Sequence, residues 1–168
     1  NACRQGNLCF VKRLVKAHGG LVDIQDNSGY TPLHKACMND KLDTARYLVK
    51  ECNAAVDVSD MVGRTPLHYA SMCKQLGIVK CLAESLNVGV DIKDNYGNTP
   101  LHYAAMCGRL DVIKFLIESC KADVTVLNQK NQTPLQVLRQ RHDVAIAEYL
   151  SSRFRQSDSK GAKKKKTK

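Results

Sequence analysis

The chain has 168 residues, of which 43% are apolar and 25% charged, and a formal charge of +10, the profile of an ordinary globular domain. Trp is absent and aromatics are 5%, so a core must rest on Leu, Val, Ile and Ala. No apolar run approaches the ~20 residues of a membrane span and no signal-peptide pattern is present, which sets aside collagen, membrane protein and disulfide miniprotein.

The charge is unevenly placed. Residues 153–168 hold eight of the 26 basic residues and one of the 16 acids, Asp158, leaving +7 in the tail and +3 in the body. These totals do not support a basic groove on the folded part. The eight cysteines (Cys3, Cys9, Cys37, Cys52, Cys73, Cys81, Cys107 and Cys120) contain no C-x-x-C pair, which argues against a zinc ribbon or a thioredoxin-type site. Scattered thiols without a signal peptide are expected to be free and mostly packed.

Read in chain order, the elements recur every 34 residues. Residues 1–30 form a partial unit: Ala2, Leu8 and Leu14 lie one step before Ala36, Leu42 and Leu48. The chain thus opens inside a first helix, as expected of a piece of a longer protein. Full units follow at 31–64, 65–98 and 99–132, each opened by Thr-Pro-Leu-His at Thr31, Thr65 and Thr99. A last unit, 133–153, opens at Thr133 with Gln136 in place of His. The tail 154–168 is expected to be disordered, having almost no apolar residues.

Within each unit the residues predict turn, helix, turn, helix. Thr suits the N-cap and Pro the first helical position. In the third full unit, Leu101, Ala104 and Ala105 form one apolar face, Gly108 stops the helix, and a second helix starts near Asp111 with Val112, Ile113, Leu116 and Ile117 inward. Before each Thr-Pro, an Asp or Asn stands three residues ahead of a Gly or Asn: Asp26/Gly29, Asp60/Gly63, Asp94/Gly97 and Asn128/Asn131. These read as tight turns, with Asn131 replacing Gly at a left-handed position. Helix pairs this short bury their apolar faces only by stacking. The small pairs Ala2-Cys3, Ala36-Cys37, Ala70-Ser71 and Ala104-Ala105 permit close approach. In the last unit the pair is Leu138-Arg139, which marks it as a C-terminal cap.

Thr-Pro-Leu-His, Ala-Ala, Gly-x-Leu and the Val/Ile-Lys-x-Leu helix resemble the ankyrin repeat, most closely over Thr99 to Leu116 (TPLHYAAMCGRLDVIKFL). The resemblance covers residues 1 to about 152. The usual period is 33; the extra residue falls between second helix and hairpin, as in Ser119 to Ala122. The resemblance implies an all-α ankyrin-repeat solenoid of stacked helix-turn-helix units joined by β-hairpin-like loops. It also gives His34, His68 and His102 a structural role, tying helix to hairpin. From the residues alone, these histidines and Asp26, Asp60 and Asp94 recur one per repeat, too far apart for triad or paired-carboxylate chemistry. No P-loop, G-x-G-x-x-G or G-x-S-x-G occurs. No enzyme activity, cofactor or metal is expected.

In ankyrin-like scaffolds the binding surface is made by hairpin tips and the exposed side of the first helix. Carried onto this chain, the candidate partner-binding positions are Tyr30 and Met38; Met61, Val62, Arg64, Met72 and Cys73; Lys93, Tyr96, Asn98, Met106 and Cys107; and Lys130 and Arg141. Met38, Met72 and Met106 share one phase and form an adaptable apolar stripe suited to a peptide or helix; folding back onto their own helices is the alternative. Arg4, Arg64, Lys93, Arg109, Lys130 and Arg141 could rim it. In the tail, Lys163, Lys164, Lys165 and Lys166 resemble a nuclear-import signal; a solubilising linker and sequence-blind phosphate binding are the alternatives. The expectation is a non-catalytic protein–protein interaction module, intracellular in the cytoplasm or nucleus, monomeric or part of a hetero-complex. The alternatives are a chromatin-associated factor with nucleic-acid affinity from its tail, and the regulatory segment of a larger enzyme.

Overall fold

The computed structural model describes residues 2–17, 22–73, 76–85 and 88–140. Among these residues there are nine helices and no strand: α1 (Ala2–Gln5), α2 (Leu8–Ala17), α3 (Pro32–Met38), α4 (Leu42–Lys50), α5 (Pro66–Met72), α6 (Leu76–Ala83), α7 (Pro100–Cys107), α8 (Leu110–Glu118) and α9 (Pro134–Arg139). None is long and apolar enough to cross a membrane. The expected all-α stack of helix pairs is therefore the architecture found. The second half of the expected capping unit and the basic tail, with Lys163 to Lys166, lie outside the described residues.

The four Thr-Pro sequences each start a helix. Thr31, Thr65, Thr99 and Thr133 hold extended backbone at the N-cap, with Pro in the first turn, where its missing N–H costs nothing. The ends are equally local. Gly108 takes φ 64° after α7, and the Arg109 amide donates back to the Ala104 carbonyl at 2.9 Å. Asp40 does the same work after α3 at φ 57°, since Asp tolerates the left-handed region. The second helices α4 and α8 close with Asn53 and Lys121 left-handed. Their long return bonds, Ala54 N–H to Leu48 and Ala122 N–H to Leu116, are both 2.9 Å, the pattern of a Schellman cap.

The helices form two rows. First helices α1, α3, α5, α7 and α9 pack side by side, and second helices α2, α4, α6 and α8 form the other row. Neighbouring first helices approach more closely than neighbouring second helices, because Ala36-Cys37, Ala70-Ser71 and Ala104-Ala105 are all fully buried between them. Unequal spacing of two rows curves the stack toward the closer one, so the concave side carries the first helices and the hairpins.

The core runs the length of the stack rather than enclosing one centre. Leu33, Leu67 and Leu101 in the first row, and Leu48, Leu82 and Leu116 in the second, are at most 1% exposed. Each contributes about 1.5–3 kcal/mol by leaving water. Neighbours supply that burial: Leu14, 34 residues before Leu48, is 38% exposed with no described unit on its outer side. At the other end Leu138 is fully buried while Arg139 is exposed. The eight cysteines are free thiols, with Cys37 and Cys81 buried and Cys9 exposed.

Candidate partner-binding face

Each hairpin is folded by one side chain. Asp26 Oδ1 accepts from the Ser28 and Tyr30 amides at 2.9 and 3.0 Å. Asp60 does so from Val62 and Arg64, Asp94 from Tyr96 and Asn98, and Asn128 from Lys130 and Gln132, all within 2.8–3.0 Å. Gly29, Gly63 and Gly97 take φ of 80°, 81° and 75°.

The hairpins are then linked to one another. The Met61 amide donates to Ser28 (3.2 Å), Asn95 to Val62 (2.8 Å) and Gln129 to Tyr96 (2.9 Å). Side chains double these links: Asn95 Nδ2 donates to the Met61 carbonyl and Gln129 Nε2 to that of Asn95. The tips therefore form a continuous edge held in register by main-chain bonds.

The second carboxylate oxygen of each Asp faces the first helix that follows it in the chain. Tyr69 Oη donates to Asp60 Oδ2 at 2.7 Å, and Tyr103 Oη to Asp94 Oδ2 at 2.7 Å. Lys35, at the same repeat position, lies 2.9 Å from Asp26 Oδ2. Burial pushes the Asp60 carboxyl up, but bonds from Tyr69 and from the Arg64 and Val62 amides outweigh it and hold it below the usual range. Burial, then its bonds to Tyr30 and Asp60, pushes the Tyr69 phenol far up. Burial and Asp94 push Tyr103 to about 12. The Lys35 ammonium, with backbone bonds from Tyr30 and Ser28, pulls Asp26 down to about 2. Tyr69 and Tyr103 had no place among the sequence candidates. A signal was present: Tyr stands at this position where the hairpin holds buried Asp, and Val137 where it holds Asn128.

The histidines join three elements. The Thr31 amide donates to His34 Nδ1 at 3.1 Å, and Nε2 donates to the Arg64 carbonyl of the next hairpin at 3.0 Å. His68 bridges Thr65 and Asn98, and His102 bridges Thr99 and Gln132, in the same way. An amide can only donate and a carbonyl only accept, so each ring is the neutral Nε2–H tautomer. All three rings are fully buried, and burial holds their pKa values below the usual range. Both nitrogens are thus committed to the scaffold. Among the described residues, no three His, Cys, Asp or Glu side chains gather as a metal site.

The candidate positions separate by environment. Met38, Met61, Lys93, Tyr96 and Lys130 are exposed, with Met61 at 72% and Tyr96 at 59%. Tyr30, Val62, Met106 and Cys107 are half-buried. Met72 is half-buried against the core, and its carbonyl accepts from Arg109 Nε at 3.1 Å. Arg64 lies over the Tyr69 ring and pairs with Asp60 at 3.3 Å. Asn98 Oδ1 accepts from Asn128 Nδ2. The Cys73 thiol donates to the Cys37 carbonyl at 2.9 Å, and burial, with Asp40 nearby, pushes its pKa to about 11. Arg141 lies outside the described residues.

This architecture defines a solenoid repeat protein whose units depend on their neighbours. A family model described as ankyrin repeats (3 copies) matches residues 1–94 and 56–128. The chain belongs to the ankyrin repeat family, whose repeats are generally non-catalytic protein–protein interaction modules. Comparison with curated proteins gives no match.

Proposed function

We propose that this chain is a protein-recognition module that holds its partner on the edge formed by the hairpin tips and the exposed side of the first-helix row. One observation carries the reading: Met61 and Tyr96 are 72% and 59% exposed on neighbouring tips that the Asn95–Val62 main-chain bond locks together. Large apolar side chains on a rigid, solvent-facing edge offer anchor area with little ordering cost on binding. Asp60, Asp94 and the three histidines of the same face are already committed to the scaffold, which favours recognition over chemistry.

The test is site-specific photo-crosslinking in cell extract, with a photoreactive residue at Met61 or Tyr96 and, as comparison, at Arg46 or Asp111 on the second helices. Protein adducts should concentrate at the hairpin positions. Adducts formed only at Arg46 and Asp111 would place the partner on the opposite side and overturn the proposal.

A further inference from the structure

Ion pairing on the concave side differs along the stack. In the N-terminal half the acids are matched: Asp26 pairs with Lys35 and Asp60 with Arg64, and Asp40 and Lys41 stand side by side in the turn after α3, which leaves Arg4 and Lys74 as its surplus cations. In the C-terminal half, hairpin residues 92–98 and 126–132 with α7 and the turn after α7 hold three cations, Lys93, Arg109 and Lys130, against one acid, Asp94. Asp94 is 5% exposed and gives both oxygens to the scaffold, Oδ1 to the Tyr96 and Asn98 amides and Oδ2 to Tyr103. The acid turns inward, while Lys93 and Lys130 are exposed.

The cations that touch anything here touch neutral groups. Lys93 Nζ reaches across to the Leu127 carbonyl on the next hairpin at 3.2 Å, and Arg109 Nε donates to the Met72 carbonyl. Neither contact neutralises the charge. Lys130 stands exposed on the tip beside them. Among these cations, Tyr96 and Leu127 are 59% and 46% exposed. Positive charge interspersed with large apolar side chains is complementary to an acidic chain that carries apolar anchors of its own.

We infer that the C-terminal half of this face takes an extended acidic peptide segment bearing aromatic or aliphatic anchor residues. This rests on the concave-face reading above and names the partner's chemistry. A protein segment fits better than nucleic acid. Three cations would release few counterions from a duplex, whereas exposed Tyr96 and Leu127 gain only from apolar side chains.

The experiment pans a library of random 12-residue peptides against the full chain and measures affinity of the enriched peptides for variants. Enriched peptides should combine Asp or Glu with Leu, Phe, Tyr or Met. Their affinity should fall at least tenfold in K93E/K130E, whose sites are exposed, and should weaken with added salt. A full-length K163Q/K164Q/K165Q/K166Q variant should bind them as the wild type does. Loss of binding in that variant would assign the effect to the tail and overturn the inference, as would enrichment of neutral or basic peptides, or of none. Binding lost in M61D/Y96D but unchanged in K93E/K130E would overturn the acidic partner and leave the concave reading standing. Binding unchanged in both would remove both readings. A 20-base-pair duplex bound as tightly as the peptides, and released by the same K93E/K130E change, would overturn the choice of a protein segment.

Discussion

Tyr69 gives its hydroxyl proton to Asp60, nine residues earlier in the chain, at 2.7 Å, and this bond decides which residue the hairpin can hold. Both residues are 6% exposed. An Asp turn brings two oxygens, and only one is used by the hairpin amides. The other needs a donor from the first helix: Lys35, Tyr69 and Tyr103 serve in turn. Val137 offers none, and there the turn residue is the neutral Asn128, whose amide instead donates to Asn98 Oδ1 at 3.0 Å.

Tyr69→Phe leaves a buried carboxylate oxygen short of its donor and should cost about 1–3 kcal/mol. The pair D60N/Y69V, copying Asn128 and Val137, should lose less than the sum of its single changes, because the carboxylate and its donor leave together. Urea unfolding of the four proteins measures this coupling. Additive losses would show that the two residues act independently.

The three buried histidines make the stack acid-sensitive. Each Nδ1 already accepts an amide proton, so a second proton there would face a donor. The folded pKa values lie below the unfolded ones, and the unfolded chain binds more protons once the pH drops below about 6.5. This contribution is fully present at pH 7.5 and is lost as acid is added. The slope is at most about 1.4 kcal/mol per pH unit for each histidine. Equilibrium unfolding at pH 7.5 and 5.5 should show the drop, and H102Q should reduce it. Gln136 shows why Gln fits: its Oε1 accepts from the Thr133 amide at 2.8 Å. Equal stability at the two pH values would refute the account.

Gly97 and Asn131 occupy the same turn position but are not interchangeable. A Cβ on Gly97 would stand 2.9 Å from the Gln129 nitrogen and 3.0 Å from the Asn128 Cα, both main-chain atoms of the next hairpin. Gly97→Ala therefore meets a clash in addition to its strained φ of 75° and should cost more than the ~1 kcal/mol of left-handed strain alone. A Cβ on Gly63 would likewise meet the next hairpin, with the Asn95 side-chain oxygen at 2.6 Å and the Asn95 main-chain nitrogen at 3.0 Å, so Gly63→Ala should cost about as much as Gly97→Ala. Asn131→Gly should change stability by less than about 0.5 kcal/mol. Thermal melts rank the three, and losses at Gly63 and Gly97 no larger than ~1 kcal/mol, the left-handed strain alone, would remove the clash from the explanation.

The repeat was legible because its signals are local. Thr-Pro, the Asp-to-Gly spacing and the small pairs act within a few residues, so helix starts, turns and the two-row stack follow from a step of 34. Even the exception was readable: Asn131 takes φ 54°. What sequence reasoning could not reach were bonds closed only by the fold. Tyr69 meets Asp60 because the hairpin turns back on its helix, and Arg109 meets the Met72 carbonyl across a unit boundary. Phase alone also placed Met38 and Met72 together, yet Met38 is exposed while Met72 is half-buried against the core. Period fixes the face a residue shares but not how deeply its neighbours cover it.

Thr44 is a place where one side chain falls short of its surroundings. It is 1% exposed, and its hydroxyl oxygen is buried without a hydrogen-bond partner. One and two repeats later the same position holds Ile78 and Val112, both fully buried. A hydroxyl taken from water without a partner costs about 1–3 kcal/mol on protein scales. Valine has nearly the same shape and no polar atom, so T44V should stabilise the stack by about 1 kcal/mol without repacking. T44S keeps the hydroxyl and loses a methyl, and it should destabilise. Urea midpoints for the two variants separate the cost of the oxygen from the value of the methyl. A T44V protein less stable than the wild type would mean that the hydroxyl has a partner in solution.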